Sequence, residues 1–120
     1  MSDGALKLRS DKFASVQVTA PTGGYTAGQM ADESYLIGVI VNDADIGDTA
    51  VLVYRCEKIV VPKNAATGVT FAVGSKVYYD SSENEVTNSS TGNTLCGRAL
   101  EVAGASATEV LIDLDGAVIA

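Results

Sequence analysis

The loop Asn42–Asp48, with the sequence NDADIGD, places three carboxylates at short spacing, a pattern that could bind calcium. The calcium loop of an EF-hand requires oxygen ligands at fixed offsets and a distal glutamate. Asp43, Asp45 and Asp48 supply part of such a set, but Ile46 occupies the third ligand position. The pattern therefore favours an acidic hairpin turn over a metal site, and we expect no bound metal.

A second candidate is the string Gly68–Val77, GVTFAVGSKV, which resembles a phosphate-binding loop. Such a loop needs Lys directly after its last Gly and a hydroxyl residue after the Lys. Here Ser75 separates Gly74 from Lys76, and Val77 replaces the hydroxyl residue that would hold magnesium. The chain also contains no His, which excludes His-dependent catalytic triads. We expect neither enzyme activity nor a cofactor.

The two cysteines, Cys56 and Cys96, cannot form a zinc site of the usual kind, because the chain has no His and no further Cys. Each lies in an apolar run, where a free Cys usually acts as a small buried hydrophobe. We favour that interpretation, with a disulfide as the alternative.

The net charge of −7 and a pI near 4.3 argue against a nucleic-acid partner, because such binding depends on Lys and Arg. Lys7, Arg9 and Lys12 form a loose basic group, which we interpret as part of a solvated arm. No run approaches the ~20 apolar residues of a membrane span. We therefore expect no membrane association, and a soluble protein made in the cytoplasm.

At 120 residues the chain is long enough for one domain, and its pattern predicts strands almost throughout. We divide it into an N-terminal arm, 1–12, and one β-domain, 13–120. Val16 and Val18 alternate with polar residues, which predicts an inward face for the first strand. Further strands are predicted at 35–41, 49–61, 69–73, 76–79, 85–87, 95–102 and 109–114. The fold class is all-β, a small β-barrel or β-sandwich of short antiparallel strands.

The segment Gly74–Val102 carries the clearest secondary-structure signal. Strand formers at 76–79 precede turn residues at 80–84, and the extended pattern resumes at 85–87, which predicts a hairpin. Tyr78 and Tyr79 point to opposite faces of their strand, so one is predicted in the core and the other at an interface. We name Tyr79 as the interface candidate.

The order and spacing of several landmarks resemble a phage protein family. The match runs from the opening strand, 16–21, to the segment around Gly74–Gly97, and covers roughly residues 13–115. Its landmarks are Tyr25, Gly28, Met30, Gly38, Val39, Gly47, Asp48, Val61, Pro62, Lys63, Gly74, Lys76, Val77, Tyr78, Asp80, Val86, Thr87, Gly92, Asn93, Thr94, Leu95 and Gly97. That family, catalogued as DUF2190, is associated with capsid decoration, or cement, proteins. Where the family often has Gly, this chain has Arg55, Cys56 and Glu57, so a bulge is not expected there.

The resemblance implies a structural protein on the outer surface of the phage head, whose partner is the major capsid protein. We expect a homo-oligomer, with a trimer favoured, that stabilises the head against the pressure of packaged DNA. The interface candidates are Tyr79 and residues near both ends of the chain: Leu6, Lys7, Leu8, Arg9, Lys12, Val118 and Ile119. The alternatives are another virion component, from the tail or baseplate, or a monomeric ligand-binding β-domain.

Overall fold

The computed structural model describes residues 13–33 and 36–117, and these residues form eight strands and no helix. The strands are β1 (Phe13–Thr19), β2 (Met30–Glu33), β3 (Leu36–Ile40), β4 (Thr49–Pro62), β5 (Lys76–Asp80), β6 (Glu85–Thr87), β7 (Thr94–Ala99) and β8 (Glu109–Asp115). All strand pairs are antiparallel, and the sheet nearly closes into a barrel. The predicted all-β class is confirmed.

The sheet is organised around β4, its longest strand at 14 residues. The strand order is β2-β3-β4-β8-β7-β5-β6, and β1 pairs with β4 outside this path. Val53 of β4 lies opposite both Ser15 and Val39, so β1 and β3 flank the first half of β4 on opposite sides. The second half of β4 pairs with β8, and a parallel bridge from Lys63 to Val86 brings its end to β6. That bridge joins β6, the last strand of the path, to the residue that follows β4 and so brings the sheet close to a closed barrel.

The pairing of β4 with β8 contains a register shift between Cys56 and Ile59. The expectation that a bulge is absent here, drawn from Arg55, Cys56 and Glu57 in place of the family's Gly, is wrong. Glu57 and Lys58 are both exposed, while Cys56 and Ile59 both point into the core. Two residues of β4, Glu57 and Lys58, thus stand opposite the single residue Asp113 of β8, and because both face solvent the bulge needs no Gly.

The hydrophobic core has two parts. The larger cluster fills the barrel with residues from every strand except β1, and it includes both cysteines. The smaller cluster lies on the other face of β3 and β4 and consists of Ala20, Ala31, Ile40, Ala44, Ala50 and Leu52. The strand β3 is therefore buried on both faces. Gly38 permits this packing, because a Cβ there would lie 2.1 Å from the carbonyl oxygen of Val53.

Most of the predicted strands are present. The hairpin of β5 and β6 is confirmed, with Asn84 in the left-handed region at φ 55°. The predicted strand 69–73 is absent, because only Phe71 makes a bridge there, to Ala103. The prediction of a buried face on β1 is wrong in degree: Val18 packs on the smaller cluster, but Val16 is 37% exposed. The cause is that β1 pairs with β4 alone and contributes no residue to the larger cluster.

Candidate functional site

One concave surface among the described residues is a groove of about 520 Å³. It is formed where the start of β1 passes the middle of β4 and the ends of β7 and β8. Its lining residues are Phe13, Ala14, Arg55, Glu57, Gly97, Arg98, Asp113, Leu114 and Asp115. A second pocket of about 240 Å³ shares three of them, Gly97, Arg98 and Asp115, and extends the surface to Leu95 and Ala117. We call this continuous surface the groove face.

Gly97 sets how closely β7 approaches β8 at the groove face. A Cβ at this position would lie 2.2 Å from the carbonyl oxygen of Asp113, which is far inside van der Waals contact. Gly116 has the same role at the end of β8, where a Cβ would meet the carbonyl oxygen of Ile37. Gly97 and Gly116 therefore permit close approach of the backbone to β8 and β3, respectively.

The groove face combines charged side chains with exposed apolar ones. The Arg55 guanidinium lies 3.5 Å from Asp115 Oδ1 and 5.7 Å from the centre of the Tyr54 ring. Arg98 Nη1 donates to the carbonyl oxygen of Gly74 at 3.1 Å. Phe13 is 49% exposed and Leu95 is 43% exposed. Such a mixture of a large apolar ring, arginines and carboxylates is typical of protein interfaces rather than of catalytic clefts.

Both ends of the described chain lie at the groove face. Phe13, the first described residue, lines the groove, and Ala117, the last, lines the adjoining pocket. The interface candidates near the ends, Leu6, Lys7, Leu8, Arg9, Lys12, Val118 and Ile119, lie outside the described residues. Their attachment points nonetheless share one face of the molecule, which the sequence did not predict.

Tyr79 does not fit the interface prediction, because its side chain is only 2% exposed. Its hydroxyl donates to Asn84 Oδ1 and lies 3.5 Å from Asp32 Oδ1. Burial, with Asp32 nearby, raises the pKa of the Tyr79 hydroxyl. The alternation of β5 turns Tyr79 into the barrel and leaves its neighbour Tyr78 partly exposed. The prediction that one of the two tyrosines lies in the core is confirmed. The core tyrosine is Tyr79, although Tyr79 was named as the interface candidate.

Lys63, which the sequence analysis names only as a landmark of the family resemblance, has a structural role that was not predicted. It is 1% exposed, and its Nζ donates to the carbonyl oxygens of Asn64 at 2.7 Å, Ala107 at 3.1 Å and Ala105 at 3.3 Å. Burial lowers the pKa of the Lys63 amine, which Glu85 partly offsets. The cation thus fastens the end of β4 to the loop between β7 and β8.

The acidic loop and the glycine-rich string both act as turns. Asp43 Oδ1 accepts a hydrogen bond from the Ala27 amide at 2.9 Å, and the Asp48 amide donates to the Asp45 carbonyl. The Ser75 hydroxyl accepts the Ala72 amide, and the string leads into β5, as predicted. In residues 13–33 and 36–117, no group of three His, Cys, Asp or Glu side chains could hold a metal ion. No helix in these ranges could cross a membrane.

The thiols of Cys56 and Cys96 are free and buried, which confirms the favoured interpretation over a disulfide. Burial raises the pKa of Cys96 to about 12, and burial also raises the pKa of Cys56. Because the thiolate is the reactive form, neither group is suited to nucleophilic chemistry at neutral pH.

Comparison with known protein families matches residues 10–114 to the model of the phage cement protein family. No curated protein and no solved structure matches the chain. The family match agrees with the resemblance drawn from the sequence, and it leaves the DUF2190 designation untested.

Proposed function

Since the chain belongs to the phage cement protein family, we propose that it binds the outer surface of the phage head and stabilises it against the pressure of packaged DNA. The carrying observation is the family match, which spans nearly the whole described domain. Membership in this family implies a capsid decoration role and a place in the virion. We infer a structural role rather than a catalytic one, and synthesis in the host cytoplasm.

The groove face supports this proposal as the surface that meets the major capsid protein or a neighbouring subunit. It presents Phe13 and Leu95 beside two arginines, in an otherwise acidic protein. The arm, 1–12, leads directly into this face at Phe13. Its Leu6, Lys7, Leu8, Arg9 and Lys12 would contact the head, with the basic side chains finding carboxylates.

The direct test is binding to heads assembled without this protein. We expect the wild-type protein to occupy these heads to saturation and to raise the temperature at which they release DNA. Removal of residues 1–12 should abolish occupancy while leaving the melting temperature of the domain within a few degrees of the wild-type value. A matched variant with Lys7, Arg9 and Lys12 all changed to Gln keeps the length and tests the charge alone. Unchanged occupancy of the truncated protein would reject the arm as the docking element.

We also propose that the protein is a homo-oligomer, most simply a trimer, which would match the three-fold positions of an icosahedral head. Many weak contacts would then add up to stable attachment. Val118 and Ile119 are the residues proposed to close the subunit interface. Light scattering gives the mass of the assembly in solution. If the proposal is correct, a chain that ends at Ala117 should form an assembly with fewer subunits than the full-length chain does. An unchanged number of subunits would show that Val118 and Ile119 are not needed at the subunit interface.

A further inference from the structure

The outer edge of β1 is the least protected edge of the sheet. The strand has seven residues, FASVQVT, and contains neither a charged residue nor a proline. Proteins usually guard such edges with Lys, Glu, Pro, a bulge or a very short strand, because an open edge pairs with other chains. The register shift between Ala14 and Ser15 interrupts only the beginning of β1 and leaves the rest regular.

The two end strands of the sheet path have such guards. The strand β2 has four residues and carries Asp32 and Glu33. The strand β6 has three residues, begins with Glu85 and is covered in part by the bridge to Lys63. The contrast makes β1 the one long, uncharged edge among the described strands.

The hydrogen bonds of β4 show which backbone groups of β1 are open. Val51 lies opposite Gln17, and its carbonyl accepts the Val41 amide while its amide donates to Asn42 Oδ1. Both backbone groups of Val51 therefore face away from β1. In an antiparallel pair, opposite residues exchange both bonds or neither, so the amide and carbonyl of Gln17 face away from β4.

The same alternation applies to the neighbours of Gln17 at two-residue spacing. Ser15 lies opposite Val53, which pairs with β3, and Thr19 lies opposite Thr49, whose carbonyl accepts the Asn42 side chain. Ser15, Gln17 and Thr19 are all exposed, and no partner for their outward backbone groups exists among the described residues. Three residues thus present a regular row of donors and acceptors.

We propose that this edge accepts an extended segment of the major capsid protein as an additional strand, so that β1 and the arm form one continuous docking element. The inference rests on the proposed function. Charge complementarity and chain continuity select the occupant: in the sequence before β1, Lys7, Arg9 and Lys12 outnumber Asp3 and Asp11 (3 − 2 = +1), whereas the other 108 residues carry 5 − 13 = −8. The capsid segment would place uncharged side chains along β1 and carboxylates beside the arm. A second copy is less suited, since pairing of two β1 strands is two-fold and cannot close a trimer.

The test uses substitution of Gln17, because its amide faces away from β4. Gln17→Pro removes the outward donor without removing a bond of the β1–β4 ladder, so the domain should stay folded. Gln17→Thr keeps the amide and the strand preference and is the matched control. On heads assembled without this protein, we expect Gln17→Pro to bind on the order of tenfold more weakly, and Gln17→Thr to bind like the wild type.

Hydrogen exchange of the wild-type protein gives a second measurement that does not depend on a variant. We expect the amides of Ser15, Gln17 and Thr19 to exchange rapidly in the free protein and at least tenfold more slowly on heads. If the protein occupies heads but these amides stay fast, or if folded Gln17→Pro binds normally, the proposed edge pairing is wrong while the cement function stands. Slow exchange before heads are added would also overturn it, since the arm or a second copy would then cover the edge. Failure of the wild type to occupy heads would refute the cement function itself.

Discussion

Replacement of Lys63 by Met should destabilise the protein markedly. The change keeps the length of the side chain and removes the cation, together with the donors to the carbonyl oxygens of Asn64, Ala105 and Ala107. A lysine with a side chain this deeply buried is usually retained only where its hydrogen bonds are complete.

The magnitude follows from two opposing contributions. Each hydrogen bond from a charged donor contributes about 1.5–3 kcal/mol, and three are lost. The acceptor residues are partly exposed, so water can replace some of these bonds, and burying a cation already costs several kcal/mol. We expect a net loss of about 3 kcal/mol in the free energy of unfolding. For a domain of this size, that corresponds to a melting temperature lower by about 10 °C.

Urea unfolding followed by tyrosine fluorescence measures this loss, since the chain has five Tyr and no Trp. The matched control is Lys58→Met, which removes an exposed cation from β4, the strand that precedes Lys63, and should change the stability by less than about 0.5 kcal/mol. If Lys63→Met were as stable as the wild type, the free energy gained by no longer burying the charge would equal the free energy lost with the three hydrogen bonds. The interpretation of Lys63 as a fastener of the barrel would then be wrong.

Two further predictions concern the groove face and its buried thiol. Gly97→Ala should destabilise the domain by about 3 kcal/mol in thermal unfolding, because the new Cβ would overlap the carbonyl oxygen of Asp113. The control Gly104→Ala places its Cβ in open space and should be nearly neutral. Equal melting temperatures for the two variants would contradict the packing argument. Burial raises the pKa of Cys96 from 9.0 to about 12, so between these values the native state keeps a proton that the unfolded state loses. Stability should therefore fall above pH 9, by up to ~1.4 kcal/mol per pH unit from this group, and Cys96→Ala should fall less steeply in urea titrations at pH 8–11. Parallel slopes for the two proteins would show that Cys96 is not responsible.

Local patterns in the sequence predicted the parts of the fold that depend on neighbouring residues. The hairpin of β5 and β6 was predictable because Asp80–Asn84 supplies turn residues between two short extended runs. In β8, Val110, Ile112 and Leu114 recur at two-residue spacing, which predicts that they share one face, and all three lie in the core. In both cases, the residue type at each position is sufficient to choose the conformation.

Long-range packing explains the misses. The burial of Lys63 was not predicted, because Lys is ordinarily exposed and its acceptors Ala105 and Ala107 lie more than 40 residues further along the chain. Tyr78 and Tyr79 are chemically equivalent choices for the core, and only the direction in which β5 faces the barrel separates them. The groove face likewise depends on strand order, which brings Phe13 to Gly97 and Asp113.

The meeting of the two chain ends at the groove face has a consequence for engineering. A peptide or domain fused directly before Phe13 or after Ala117 would begin at this face, which is the proposed contact surface for the capsid. Insertions for surface display therefore belong in an internal turn, such as the exposed residues Ser81–Glu83 between β5 and β6. An affinity tag joined directly at Phe13 or Ala117 should be cleaved before the proposed binding to heads is measured.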